Sequence, residues 1–534
     1  MSTEQPKAGP EVRFSSSRQW PGERHPTRWD VHDANESPAV TFLDRFRAAL
    51  LHTEGAEDDA SHDVDSVIDS SENMDENSVR EYTYPVVMLS EVPIILPEEE
   101  MAQLQQSFFA SFNHIFLDAV DVANWPSNPL PPYLQYALAC LGAAASARAS
   151  NTAAYAVANG TDPADVAAGL FIAGTRLWSV MLEVDNREAR MLEAVIAASL
   201  LITYGVLSTD RAYRRMSSVL LCNVVTISRR LHLPEGCSPL YTSSELPEKD
   251  VTIKSSLMSY LLLLDTIHAV HYGLAPHFSR TELFIRMPSS NHQFRTLYNS
   301  LTHGYALPQD VRSREDGLLL LIVLLSDIIY TQRCHLSMPF FTDRQDGVAD
   351  RSSSNRIPLR SPYVPLTSQS EYTRLSADLL AALCRWEQHF QRHVGTDVLA
   401  LYYFVKLQLM CPELGKLPRL AGYGTASSFR ESQRNPSPLV EQIDIPDKAM
   451  EFAWLVLDYC DGHSQAPERR SAVWLPVILF LSALVAWQKL HSRPIAGLKY
   501  GSLKVLSMYR DEIAKLPWPC CVEMTNTLDR LMKR

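Results

Sequence analysis

No cysteine precedes Cys140 in this 534-residue chain, and the nine cysteines are scattered with no CxxC pair. A zinc binuclear cluster needs six thiolates within about 30 residues to bridge its two ions, so this sequence carries none, and the paired cysteines and histidines of a Cys2His2 finger are missing as well. The odd cysteine count, beside a start (MSTEQPKAGPEVRFSSSRQW) without an apolar leader, is expected of reduced core thiols in an intracellular compartment, not of a disulfide framework. A GxSxG elbow and a Walker A loop are absent, and the GYG at Gly422 to Gly424 follows no strand. Sustained strand-type alternation is missing apart from a short, proline-broken piece near Tyr82 to Leu96. No fixed period marks a solenoid, and no basic stripe marks a broad nucleic-acid face.

What is present is the composition of a soluble globular protein, 46% hydrophobic and 21% charged, in a chain long enough for several domains or one large helical assembly. The net charge of -12 is concentrated: Glu54 to Glu81 holds 11 acidic residues against the single Arg80, which leaves the remainder close to neutral. The most lipid-like stretch, Ser471 to Trp487, sits at the lower length limit for crossing a bilayer and contains Pro476, so it reads as a buried helix. Shorter apolar runs at Ala194 to Leu207 and Leu318 to Leu325 read as core helices, and no membrane partner is expected.

Residues 1–40, rich in Pro, Ser, Arg and Glu, cannot bury enough apolar surface to offset chain entropy and are expected to form a disordered tail. Residues 41–52 place Phe42, Leu43, Phe46, Ala49 and Leu50 on one helical face behind the N-cap candidate Thr41. Residues 53–96 form an acidic linker or an activation-like segment. From 97 to 534 the periodicity is helical. Three glutamates open the first helix, whose apolar face is Leu104, Phe108, Phe112, Ile115 and Phe116. Tyr213, Met216, Leu220, Val224, Ile227 and Leu231 step by three or four towards Pro234, and Leu375, Leu379, Leu383, Trp386 and Phe390 do the same. The fold class is therefore all-α, a large multi-helix regulatory domain behind a disordered acidic N-terminal segment, with surface loops at about 343–373 and 422–446.

Several stretches between Phe108 and Gln293 occur in an order that resembles the fungus-specific transcription factor domain, the middle homology region of fungal zinc-cluster and related factors. FFASFNHIFLDAVDVANWPSNPLPPYLQYALACLGAAAS is similar to its opening, which ends in an Ala/Gly run, here Leu141 to Ala145. GLFIAGTRLW and EAVIAASLLITYGVLSTDRAYRRMSSVLLCNVVTISRRLHL are similar to its paired helices and end at Arg229, Arg230, Leu231 and Leu233. In SYLLLLDTIHAVHYGLAPHFSRTELFIRMPSSNHQF, the family's helical aspartate, small residue, proline, acidic residue and apolar-proline pair correspond to Asp265, Gly273, Pro276, Glu282, Met287 and Pro288. Physically this predicts a helix closed near Gly273, a turn stiffened by Pro276 and a second helix start near Glu282.

The resemblance implies a nuclear transcriptional regulator of a specialised (secondary) metabolite gene set, and not an enzyme. Its DNA contact, direct or through a partner transcription factor, is expected to come from residues outside the resemblance. A small-molecule effector and a homo- or heterodimer belong to the same expectation, with no cofactor. The alternative is a helical interaction or ligand-binding protein that does not bind DNA and acts as partner or inhibitor of a DNA-binding regulator.

No catalytic, cofactor or metal residue is singled out by the sequence. Asp265, His268 and His271 have a suggestive spacing, but positions 0, 3 and 6 fan around a helix and cannot all three converge on one ion. The acidic string Glu57 to Asp63 lacks the second motif that a magnesium-diphosphate terpene synthase site needs. Arg214 and Arg215 with Arg229 and Arg230 mimic a bipartite import signal, yet they flank an amphipathic helix and read as its polar surface.

Overall fold

The computed structural model describes residues 12–15, 81–84, 96–112, 116, 131–149, 162–184, 188–236, 248–336, 369–424, 443, 445–464, 471–492 and 499–533. The expected helix at 41–52 and almost all of the N-terminal tail and acidic segment lie outside them. The fold is all-α: the described residues hold 15 α-helices and three short 3-10 turns. Among the described residues, extended structure is limited to one antiparallel ribbon, β1 (Val12–Ser15) on β2 (Glu81–Tyr84), and two isolated bridges.

In chain order the helices are α1 (Glu98–Ser111), α2 (Pro132–Ala149), α3 (Pro163–Val184), α4 (Leu192–Val206), α5 (Arg211–Arg230), α6 (Glu248–Tyr272), α7 (Phe294–His303), α8 (Arg314–Leu336), α9 (Gln369–Phe390), α10 (Thr396–Met410), α11 (Leu417–Leu420), α12 (Asp447–Ser464), α13 (Leu475–Ser492), α14 (Lys499–Ala514) and α15 (Cys520–Met532). α9 begins inside the expected loop at 343–373, and Gly422 to Gly424 form a described turn. The helical stretch, expected as one domain, divides into two compact units: residues 128–204 join the chain up to Phe108 in the first, and 109–127 with 205–534 form the second.

In the first unit, α2 and α3 pair lengthwise, with Cys140 Sγ 3.3 Å from the Ala167 carbonyl and the Trp178 indole donating to the Ala194 carbonyl at 3.1 Å. Trp178 and Phe171 are wholly buried. The Ala/Gly run has a steric reason. A Cβ at Gly142 would stand 1.8 Å from the Leu104 carbonyl oxygen, so the absence of a side chain sets how closely α2 approaches α1.

In the second unit the core is built on α10, whose residues from Asp397 to Leu409 are all buried. A helix buried on every side must satisfy its polar groups internally. Asp397 pairs with Arg314 at 2.5 Å, Lys406 reaches Glu387 at 3.3 Å, and Gln408 donates to Gln332 at 2.8 Å. The apolar runs behave as read: Leu318 to Leu325 and Val473 to Ala486 are buried. Pro476 sits in the first turn of α13, where a missing N–H costs no helical bond. Pro163–Leu182 and Arg314–His335 are long and apolar enough to cross a membrane, a test that buried core helices also pass. Of the expected apolar faces, Leu220, Val224 and Ile227 of α5 and Leu379, Leu383, Trp386 and Phe390 of α9 are buried, whereas Tyr213, Met216 and Leu231 are half-buried and Leu375 is exposed.

Gly142→Ala tests the close approach. Helix propensity alone favours alanine by about 1 kcal/mol, whereas overpacking costs about 1–3 kcal/mol. The new methyl would meet a backbone carbonyl, which cannot swing aside as a side chain can, so overpacking outweighs propensity. Denaturant unfolding is expected to show a net loss of about 1–2 kcal/mol; a gain in stability contradicts the assignment.

Candidate functional site

The residues with the most chemistry gather where the end of α6 meets α5. α6 runs to Tyr272 and stops at Gly273, whose φ of +63° suits glycine, and Leu274 N–H returns to the Ala269 carbonyl at 2.8 Å. The loop then folds back along the helix it has left. Asp265 is 1% exposed, and its Oδ2 accepts the backbone N–H groups of His277 at 2.7 Å and Phe278 at 2.9 Å. Its Oδ1 accepts the His277 Nδ1–H at 2.7 Å. That bond is the main reason the His277 imidazole is shifted upwards from its usual pKa, so it favours the charged ring.

Arg229, the penultimate residue of α5, secures the same loop. Its guanidinium donates to both Glu282 carboxylate oxygens, at 2.9 and 3.0 Å, and to the His277 carbonyl at 2.7 Å. Glu282 also accepts the Ser279 N–H at 2.7 Å in a capping box over the 3-10 turn Arg280–Glu282. This corrects one expectation, because no α-helix starts near Glu282. Leu283 is already extended, Phe284 N–H is taken by the Pro234 carbonyl, and the next helix, α7, begins at Phe294. The Tyr330 hydroxyl bonds the Pro276 carbonyl and Arg333 bonds that of Gly273, so the expected stiff turn is held from α8 as well.

α5 presents Ser218 and Cys222, one helical turn apart, to two histidines. Ser218 Oγ and His268 Nε2 share a 3.0 Å hydrogen bond, and Cys222 Sγ lies 3.6 Å from His277 Nε2. His268 is buried, and that burial lowers its pKa to about 4, which keeps the ring neutral at physiological pH. Its Nδ1 is buried without a hydrogen-bond partner. One donor atom each from Asp265, His268 and His277 lie within 4.8 Å of one another. No family model, curated protein or solved structure matches this chain.

The helical-wheel argument holds for His271, which turns away from His268 and meets the Tyr423 hydroxyl at 3.0 Å. Sequence reasoning missed its replacement. His277 is 12 residues beyond Asp265, and the signal was the Gly273–Pro276 turn, which sends the next residues back along the last turns of α6. Cys222 and Ser218 carried no local signal beyond their i,i+4 spacing. Of the four arginines read as a surface, Arg214 pairs with Glu523 at 3.2 Å and Arg229 with Glu282. Tyr423, between Gly422 and Gly424, is buried; the two glycines have φ of +76° and +73°, and the Gly424 N–H donates to Glu523 at 3.0 Å.

Chemically, Cys222, His277 and Asp265 form a thiol–imidazole–carboxylate row, the order found in nucleophilic sites. The adjacent N–H groups of His277 and Phe278 already serve Asp265, so they are not free to stabilise an oxyanion.

His271 gives a pH test. Burial, followed by Arg214 and His268, lowers its pKa to about 3. The folded state therefore holds the neutral ring while the unfolded chain takes up a proton near 6.5. Stability from this group is present above pH ~6.5, declines as pH falls, and is lost by about pH 3, on the order of 5 kcal/mol in all. His271→Gln is expected to flatten the acid limb of a stability–pH profile between those values; an unchanged limb would contradict the assignment.

Proposed function

We propose that this chain is a nuclear transcriptional regulator, controlling a specialised metabolite gene set through its helical domain. The observation that carries the reading is the convergence of the residues bearing the resemblance. Arg229, Asp265, Gly273, Pro276 and Glu282 are spread over more than fifty positions, yet they assemble into one clasp that joins α5, α6, α8 and the loop after α6. That is the behaviour expected of a motif that packs a regulatory domain, with DNA contact supplied elsewhere. The consumed backbone donors beside Asp265 favour a non-enzymatic role.

One observation favours the second reading, a partner or inhibitor that does not itself touch DNA. Two of the four α5 arginines are committed to Glu523 and Glu282, and charges held in such pairs are poorly placed to neutralise phosphate. Transcript profiling after deletion of the gene is expected to show coordinated change in a coherent gene set; an unaltered transcriptome rules out both readings. Purified full chain titrated against DNA from those promoters at about 50 and about 200 mM salt separates them. Direct contact through several phosphates is expected to weaken by roughly 10³-fold or more over that interval, whereas the partner reading predicts no binding until a DNA-binding protein is added.

A further inference from the structure

The geometry points to a transition-metal site of the zinc class on the α5–α6 face, with Cys222 Sγ, His277 Nε2 and His268 as protein ligands and one position open to solvent. Asp265 acts as the positioning carboxylate behind His277. This site is independent of the regulatory reading.

Tetrahedral zinc holds sulfur at about 2.3 Å and imidazole nitrogen at about 2.0–2.1 Å, which sets those two ligand atoms roughly 3.5 Å apart. Cys222 Sγ and His277 Nε2 stand at 3.6 Å. A ring nitrogen of His268 lies within 4.8 Å of one on His277, and its Nε2 now shares a 3.0 Å hydrogen bond with Ser218 Oγ that coordination through that atom would replace. The groups behind the ligands are already in place. His277 donates Nδ1–H to Asp265 Oδ1, which leaves Nε2 as the coordinating atom, and Asp265 is itself fixed by two backbone N–H groups. This carboxylate–histidine–metal arrangement is the usual way a protein orients a ligating ring.

His268 Nδ1 is buried without a hydrogen-bond partner. Cys222 is exposed and the His277 side chain is 31% exposed, so an ion has a path from solvent. Binding would displace the Cys222 thiol proton and any proton on His277 Nε2 into solvent; no electron transfer is involved. The ligands come from α5, α6 and the returning loop, so one ion would tie three segments that meet at this face. Softer donors and low ligand number favour zinc or cobalt over magnesium or calcium, which take oxygen ligands.

The full chain, stripped with chelator and titrated with Co²⁺ and then Zn²⁺, tests the site. One Co²⁺ per chain is expected to bind at micromolar concentration with a sulfur-to-cobalt charge-transfer band, and Zn²⁺ is expected to displace it and raise the melting temperature. Cys222→Ser, an exposed change that leaves the fold intact, is expected to abolish the band. His277→Gln is expected to weaken Zn²⁺ at least tenfold. Asp265→Asn is expected to keep the band with affinity lowered about 10–100-fold. Absence of saturable binding, or a band that persists in Cys222→Ser, overturns the proposal.

Discussion

A carboxylate only 1% exposed is stable only if it is met by donors, and Asp265 is met by three, two of them backbone N–H groups from the loop that leaves its own helix. Because the donors belong to residues 277 and 278, satisfying the charge and folding the loop back are one event. The remaining contacts at this face depend on it. Only with the loop returned does the His277 carbonyl meet Arg229, Glu282 meet the same guanidinium, and the His277 ring come opposite Cys222. The left-handed Gly273 makes the reversal sterically cheap, and α8 fastens it through Tyr330 and Arg333.

The parts of this arrangement that were legible in the sequence are those set by local rules. The helical period of about 3.6 residues placed the buried faces of α5 and α9, and glycine with proline marked the end of α6 and the stiff turn after it. Helical angle also kept His271 out of a single cluster with Asp265 and His268. What stayed hidden depends on partners far away in the chain. Arg229 and Glu282 are 53 residues apart, and Arg314 and Asp397 are 83 apart, and neither pair announces itself in composition. Glu282 read as a helix start because acidic residues favour helix N-termini, whereas the structure spends it on a one-turn cap and an arginine. The division into two compact units was equally invisible, since two of its three boundaries fall inside the continuous helices α1 and α4.

The regulatory reading and the metal site draw on different properties of the same face. The former rests on a packing clasp assembled from widely spaced residues, the latter on unspent donor atoms at its rim. Nearby, His271 and Tyr423 close the core around the Gly422–Gly424 turn, with Arg214 and Glu523 bringing α15 to α5. Burial holds both His268 and His271 neutral, so the region is built to work without their charge, while the hydrogen bond to Asp265 shifts His277 in the opposite direction.

The dependence of this face on Asp265 is measurable directly by amide hydrogen exchange of the full chain, comparing wild type with Asp265→Asn. The account predicts that His277 and Phe278 exchange slowly in the wild type and lose protection in the variant together with the 274–283 loop, while α10 and α13 stay protected. Protection of those two amides that is unchanged by the substitution would contradict it.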